Sequence, residues 1–218
     1  FTQGLLLRKG RLFESTGRPN RSQLRELDLV SGQLLRAVDV PDVWAEGLAL
    51  RGDRLIQLTW THEVAYEYDV GTLTRVGQTV YSGEGWGLDS VGDGFVMTDG
   101  SHRIAFRDGE FQVRSVVEVR LKGWPVRFLN DLVCVRGHLY VNRWRSSDIL
   151  EIDPGSGAVT GRVDCTDLVR EAAPIDPEHV LNGIAFDETT DTFLVTGKCW
   201  PLIFVVRFEG FDGEGLSK

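Results

Sequence analysis

The sequence predicts an all-β chain folded as a five-bladed β-propeller with four-stranded antiparallel blades. Three observations carry that reading. One unit recurs five times, each copy holds two short apolar stretches around a Gly- or Asp-containing turn, and a second hairpin pattern fills the space between copies. Four strands in a repeat of about 40 residues is the pattern of a propeller blade.

The copies run in order. They are "TQGLLLRKGRLFEST" (2–16), "AEGLALRGDRLIQLTW" (45–60), "GWGLDSVGDGFVMTDG" (85–100), "LNDLVCVRGHLYVNRW" (129–144) and "LNGIAFDETTDTFLVTGKCW" (181–200). Gly4, Gly47, Gly87, Asp131 and Gly183 occupy equivalent positions, spaced by 43, 40, 44 and 52 residues. Between them stand "LRELDLVSGQLLRAVDV" (24–40), "VAYEYDVGTLTRVGQTV" (64–80), "RIAFRDGEFQVRSVVEV" (103–119) and "DILEIDPGSGAVTGRVD" (148–164), whose alternating apolar residues around a Gly-containing turn read as outer hairpins. The insertion "CTDLVREAAPIDPEHV" (165–180) reads as a loop or short helix on one face. Only "PLIFVVRFEG" follows the fifth copy, so the last blade is expected to lack its outermost strand, as in a trimmed chain. No linker or composition break interrupts the repeats, and one domain over 1–218 is expected.

Composition narrows the partners. The 218 residues carry 42% hydrophobic and 26% charged side chains and a formal net charge of −8. Lys and Arg are scattered, which argues against nucleic acid or an anionic membrane as the main partner. No apolar run approaches the ~20 residues of a bilayer span. Three cysteines without a C-x-x-C suggest neither a disulfide framework nor a zinc cluster. A monomer is expected, and the sequence alone leaves the compartment open.

In a propeller, residues at one offset of every repeat converge on one end of the central channel. Before the first strand of each copy stand Gln3, Glu46, Trp86, Asn130 and Asn182; after the second stand Trp60, Trp144 and Lys198. Convergence would put an acid, an amine, carboxamides and several indoles around one cavity. Taken singly, each has a plainer use: tryptophans pack, and Asn bonds strand-end backbone. Their shared offset is what purely structural residues have no reason to keep. Trp124 lies outside the register and reads as packing. His62, His102, His138 and His179 sit at unrelated offsets and read as surface residues.

At these residues the chain resembles the glutamine cyclotransferase family, the glutaminyl-peptide cyclotransferases of plant and bacterial type. The matching stretches include "FTQGL" (1–5), "ESTG" (14–17), "EGLAL" (46–50), "EGWGL" (84–88), "LND" (129–131), "LNGIA" (181–185) and "TGK-W-P" (196–201), in order along the chain. The resemblance implies a five-bladed propeller without a catalytic metal or cofactor. It implies conversion of N-terminal glutamine of a peptide or protein, or of free glutamine, to pyroglutamate with release of ammonia. It also points to a secreted or periplasmic location. The implied site comprises Glu46, Lys198 and Asn130 as catalytic groups and Phe1, Gln3, Trp44, Trp60, Trp86 and Trp144 as substrate-binding ones. Three positions depart from the family: Asp131-Leu132-Val133 in place of Glu-Leu-Glu, "RPN" (18–20) in place of a Tyr-Gly pair, and Trp44 in place of Phe. The residues also admit two rivals: a metal-dependent lactonase on a six-bladed ring using Glu46, Asn130 and Asn182, and a non-catalytic propeller that binds peptide termini.

Overall fold

The computed structural model describes residues 1–208. It is a ring of five antiparallel sheets. Blade one comprises β1 (Thr2–Arg8), β2 (Arg11–Thr16), β3 (Gln23–Leu27) and β4 (Leu34–Asp39), hydrogen-bonded in that order. Blade two repeats this with β5 (Ala45–Arg51), β6 (Arg54–Thr59), β7 (Val64–Asp69) and β8 (Arg75–Val80). Blade three holds β9 (Leu88–Val91), β10 (Gly94–Thr98), β11 (Arg103–Arg107) and β12 (Val113–Glu118). A small hairpin, β13 (Arg120–Leu121) and β14 (Trp124–Pro125), leads into blade four: β15 (Leu129–Val135), β16 (His138–Arg143), β17 (Asp148–Ile152) and β18 (Val159–Asp164). Helix α1 (Thr166–Ala172) opens the expected insertion, and blade five follows as β19 (Leu181–Asp187), β20 (Thr192–Gly197) and β21 (Phe204–Val206). Three strands of the last blade thus fall among the described residues. Whether a fourth exists concerns residues after 208 and lies outside them.

The ring closes because β1 packs beside both β5 and β19. Its core is divided among the clefts between blades. Leu6, Phe13, Leu48 and Tyr68 fill the first cleft, Ile56, Leu58, Phe95 and Met97 the second, and Val96, Leu132, Val141 and Ile152 the third. Tyr140, Ile184, Phe193 and Val195 fill the fourth, while Leu5, Leu12, Leu27, Ala185 and Leu194 make the smaller closing cluster. Alternation decides this, because successive side chains of a strand face opposite neighbours. Outer hairpins turn on aspartates: Asp28, Asp69 and Asp153 each accept from the backbone and hydroxyl of the residue three ahead.

The innermost strands press together around the axis. A Cβ on Gly4 would lie 2.6 Å from the Leu48 nitrogen, one on Gly47 2.5 Å from the Leu88 nitrogen, and one on Gly87 2.2 Å from the Asn130 carbonyl. Glycine is there for close backbone approach. Asp131 takes the same step in blade four and reaches across the axis instead. Its Oδ2 accepts from the backbone N–H of Leu5 at 3.2 Å and of Ile184 at 3.0 Å.

One expectation fails at the edge of the ring. Trp124 is 77% exposed on the β13–β14 hairpin, not packed. That hairpin belongs to no blade, so no neighbouring sheet covers it.

Candidate active site

Four of the five innermost strands carry an irregularity at one place. Pairing with the second strand shifts between Thr2 and Gly4, Ala45 and Leu48, Leu129 and Leu132, and Leu181 and Ile184. Each β-bulge falls at Gln3, Glu46, Asn130 or Asn182. A bulge re-aims a side chain and ends regular pairing, and bulges concentrate beside active sites. In blade three, Trp86 precedes the strand and is tied by its N–H to the Thr98 carbonyl at 3.0 Å.

Above these bulges lies a cleft of about 780 Å³. All nine residues of the sequence-derived set line it: Phe1, Gln3, Trp44, Glu46, Trp60, Trp86, Asn130, Trp144 and Lys198. Asn182, also expected to converge, lies beneath it. Its Nδ2 donates to the carbonyls of Thr2 at 3.1 Å and Gln3 at 3.4 Å, so it joins blade five to blade one.

Glu46 is buried at the floor, where its Oε1 accepts from Gln3 Nε2 at 2.8 Å. Burial pushes its carboxyl well above the ordinary 4.5, opposed by the Lys198 ammonium and reinforced by the negative charges of Asp131 and Glu84. Lys198 is also buried, which lowers its pKa, while Glu46 works to raise it. Its Nζ stands 4.9 Å from the centroid of the Phe1 ring. Gln3 Oε1, Asn130 Oδ1 and Trp44 Nε1 are buried without a hydrogen-bond partner among the described residues. Buried polar atoms are normally paired, and three left open along one cleft mark where a polar ligand would complete them.

The aromatic lining forms two groups. Phe1, Trp44 and Trp60 make successive edge-to-face contacts at 5.9 and 5.8 Å, and Trp86, Trp144 and Phe128 do the same at 5.9 and 5.6 Å. Glu84 joins them: its Oε2 accepts from Trp60 Nε1 at 2.7 Å and from Trp86 Nε1 at 2.9 Å. Trp86 is seated against Gly100, where φ is +75° and an added Cβ would come within 2.5 Å of the indole.

Sequence reading missed Glu84 and Phe128, although a signal existed. Phe1, Trp44, Glu84 and Phe128 each stand two residues before the bulge or strand-entry residue, at one common offset. Asp99 also lines the cleft, at the offset after the second strand that Trp60, Trp144 and Lys198 share, and Arg18 lines it from the loop after β2. Among the described residues no three His, Cys, Asp or Glu side chains cluster as metal ligands. The lactonase reading required a sixth blade, and the ring has five.

Comparison with known proteins agrees with the five-bladed fold. A family model described as glutamine cyclotransferase matches residues 1–208. A glutaminyl-peptide cyclotransferase of Arabidopsis thaliana is 33% identical over 216 residues, covering 96% of this chain and 67% of the relative. The crystal structure of Myxococcus xanthus glutaminyl cyclase superposes with a TM-score of 0.90 at 42% identity, over 95% of this chain and 90% of the other. On the match of nearly its whole length, this chain belongs to the glutamine cyclotransferase family.

Proposed function

We propose that the chain is a glutaminyl-peptide cyclotransferase, an enzyme that closes N-terminal glutamine of peptides to pyroglutamate and releases ammonia in the tryptophan-lined cleft. One observation carries the reading: a single buried carboxylate, Glu46, lies on the cleft floor with Gln3 bonded to it and Lys198 acting on its charge. The reaction forms a bond from the α-nitrogen to the side-chain carboxamide carbon, Cδ, and breaks the bond from that carbon to the amide nitrogen. One proton must leave the attacking amine and another must reach departing ammonia.

Glu46 suits both transfers. A carboxyl raised by burial is a stronger base as the anion and remains a ready acid once protonated, the balance that proton transfer near neutral pH favours. Positioned transfer of this kind contributes typically about 10²–10⁴-fold. Lys198 and Asn130 supply N–H donors toward the γ-carbonyl oxygen as it gains charge, and one such donor is worth roughly 3 kcal/mol. Lys198 offers an N–H in either protonation state, so a lowered pKa does not remove it. Curling the substrate side chain back on itself is an orientation problem, for which the indole walls serve; well-oriented cyclisations reach effective molarities of ~10⁵ M or more.

The direct test is ammonia release from Gln-Ala and Gln-Gly by the purified chain, with pyroglutamyl product identified by mass. Absence of both products from every glutaminyl peptide would leave a peptide-binding propeller as the better reading.

A further inference from the structure

Several arginines elsewhere on this chain find carboxylates. Arg11 and Arg36 share Glu26, Arg114 grips Asp93, and Arg145 holds Glu178 at 2.6 Å beside the cleft. Arg18 does not. It is half-buried and lines the cleft, yet among the described residues its guanidinium meets only the face of Phe1, at 4.6 Å, and the Cys199 sulfur, at 3.7 Å.

Its backbone is held in place. The Arg18 N–H donates to Ser22 Oγ at 3.2 Å, and its carbonyl accepts from that hydroxyl at 3.0 Å and from the Arg21 N–H at 3.0 Å. Ser22 Oγ further accepts from the Ala45 N–H, one residue before Glu46. The guanidinium is thus fixed at its root, stacked on one side, and open on the other. Its fork is shaped for bidentate contact with a carboxylate.

The cleft is polarised around it. Arg18 and Lys198 both sit on Phe1. In order of contact, Phe1, Trp44 and Trp60 then lead to Glu84 at the other end. Two further acids of the lining are occupied: Glu178 by Arg145, and Asp176 Oδ1 by the Glu178 N–H at 2.8 Å. A cleft of about 780 Å³ also exceeds what one glutamine fills, leaving room for the next residue. That residue extends about 3.5 Å along the chain from the first.

We propose that Arg18 is a specificity residue, forming a subsite for a carboxylate carried by the residue after the cyclising glutamine. The carboxylate is either the free C-terminus of a glutaminyl dipeptide or the side chain of a second-position Asp or Glu. This rests on the cyclotransferase reading of the same cleft.

The experiment compares kcat/KM within two substrate pairs: Gln-Ala against Gln-Ala-NH2, which isolates the terminus, and Gln-Glu-NH2 against Gln-Gln-NH2, which isolates the side chain. In at least one pair the carboxylate is expected to be preferred about five- to tenfold, the range of a charge-assisted hydrogen bond in a half-exposed site. That ratio should fall toward one in Arg18→Gln, survive in part in Arg18→Lys, and shrink with added salt. Equal kcat/KM within both pairs would overturn the proposal while leaving the cyclotransferase reading intact. So would a preference that Arg18→Gln leaves unchanged and substitution of Arg127, the exposed cation elsewhere in the lining, removes. Ammonia release from none of the four substrates would overturn both.

Discussion

Glu46 and Asp131 are both buried acids on innermost strands, one residue apart in the repeat, and their surroundings differ in kind. Glu46 stands on the residue before the close-approach glycine and faces the cleft, with a single side-chain partner in Gln3. Asp131 stands on the glycine step itself and faces the axis, accepting backbone N–H groups of blades one and five. Burial raises both carboxyls well above their ordinary values, but for Asp131 the backbone hydrogen bonds from Ile184, Leu5 and Leu132 oppose it. One step along a bulged strand therefore separates a carboxyl that faces the open cleft from one tied into the architecture. Single substitutions can break that separation or sharpen it.

The largest effect is expected from Glu46→Gln, which keeps shape and hydrogen bonding but ends proton transfer. Turnover of Gln-Ala should fall by roughly 10² or more, with melting temperature undiminished. Near-normal turnover would erase the contrast and move the chemistry to another acid. Asp131→Ala should do the reverse. It leaves two buried backbone N–H groups without acceptors, at about 1–3 kcal/mol each, so thermal or urea unfolding should shift markedly downward. A variant with unchanged stability would deny Asp131 its bracing role.

The cleft walls give smaller effects. Trp86→Ala removes an indole that touches Trp144 and bonds Glu84, and KM for Gln-Ala should rise about tenfold while stability falls less than for a core tryptophan. Glu84→Ala should raise KM several-fold and alter tryptophan fluorescence, because both indole N–H groups lose their acceptor. Glu84→Gln retains an acceptor oxygen and should recover part of the loss. If both Glu84 variants bind substrate normally, the two indole groups are held by packing alone.

The repeat was legible because its physics is local. Gly4, Gly47 and Gly87 recur where backbones touch, and period-2 alternation names the strands between them. The shared offsets and the family motifs on them point to nine residues that all line the cleft, since a ring with rotational symmetry turns equal sequence steps into one place. What stayed hidden depended on contacts between repeats. Asn182 keeps the offset of Asn130, yet its amide is turned to the blade-one carbonyls, a consequence of ring closure that no single repeat encodes. Glu84 takes its place in the cleft only where two indole nitrogens, from Trp60 and Trp86, are brought to one of its oxygens. Trp124 had no register to read, because its hairpin is an insertion between blades three and four. The sign of the Glu46 shift was also unreadable: indoles and Lys198 oppose each other, and the depth of burial decides.

That sign has a consequence for stability, the smallest effect expected and the sharpest on Glu46 alone. A carboxyl whose pKa is higher folded than unfolded stabilises the fold fully below its ordinary value of 4.5 and loses that contribution as pH rises toward the folded value. In that window the folded protein holds a proton that the unfolded chain has released, so stability falls by up to about 1.4 kcal/mol per pH unit. The carboxamide introduced by Glu46→Gln does not titrate. Wild type and Glu46→Gln should therefore melt at similar temperatures near the ordinary carboxyl value, and the variant should gain steadily on wild type as pH rises above it. Other groups shift both proteins alike, so the difference isolates this carboxyl and the charges coupled to it, Lys198 foremost. A gap that stays flat would mean that Lys198 cancels burial, and one that widens in favour of wild type with rising pH that Lys198 outweighs it; either would make Glu46 an ordinary anion at the cleft floor.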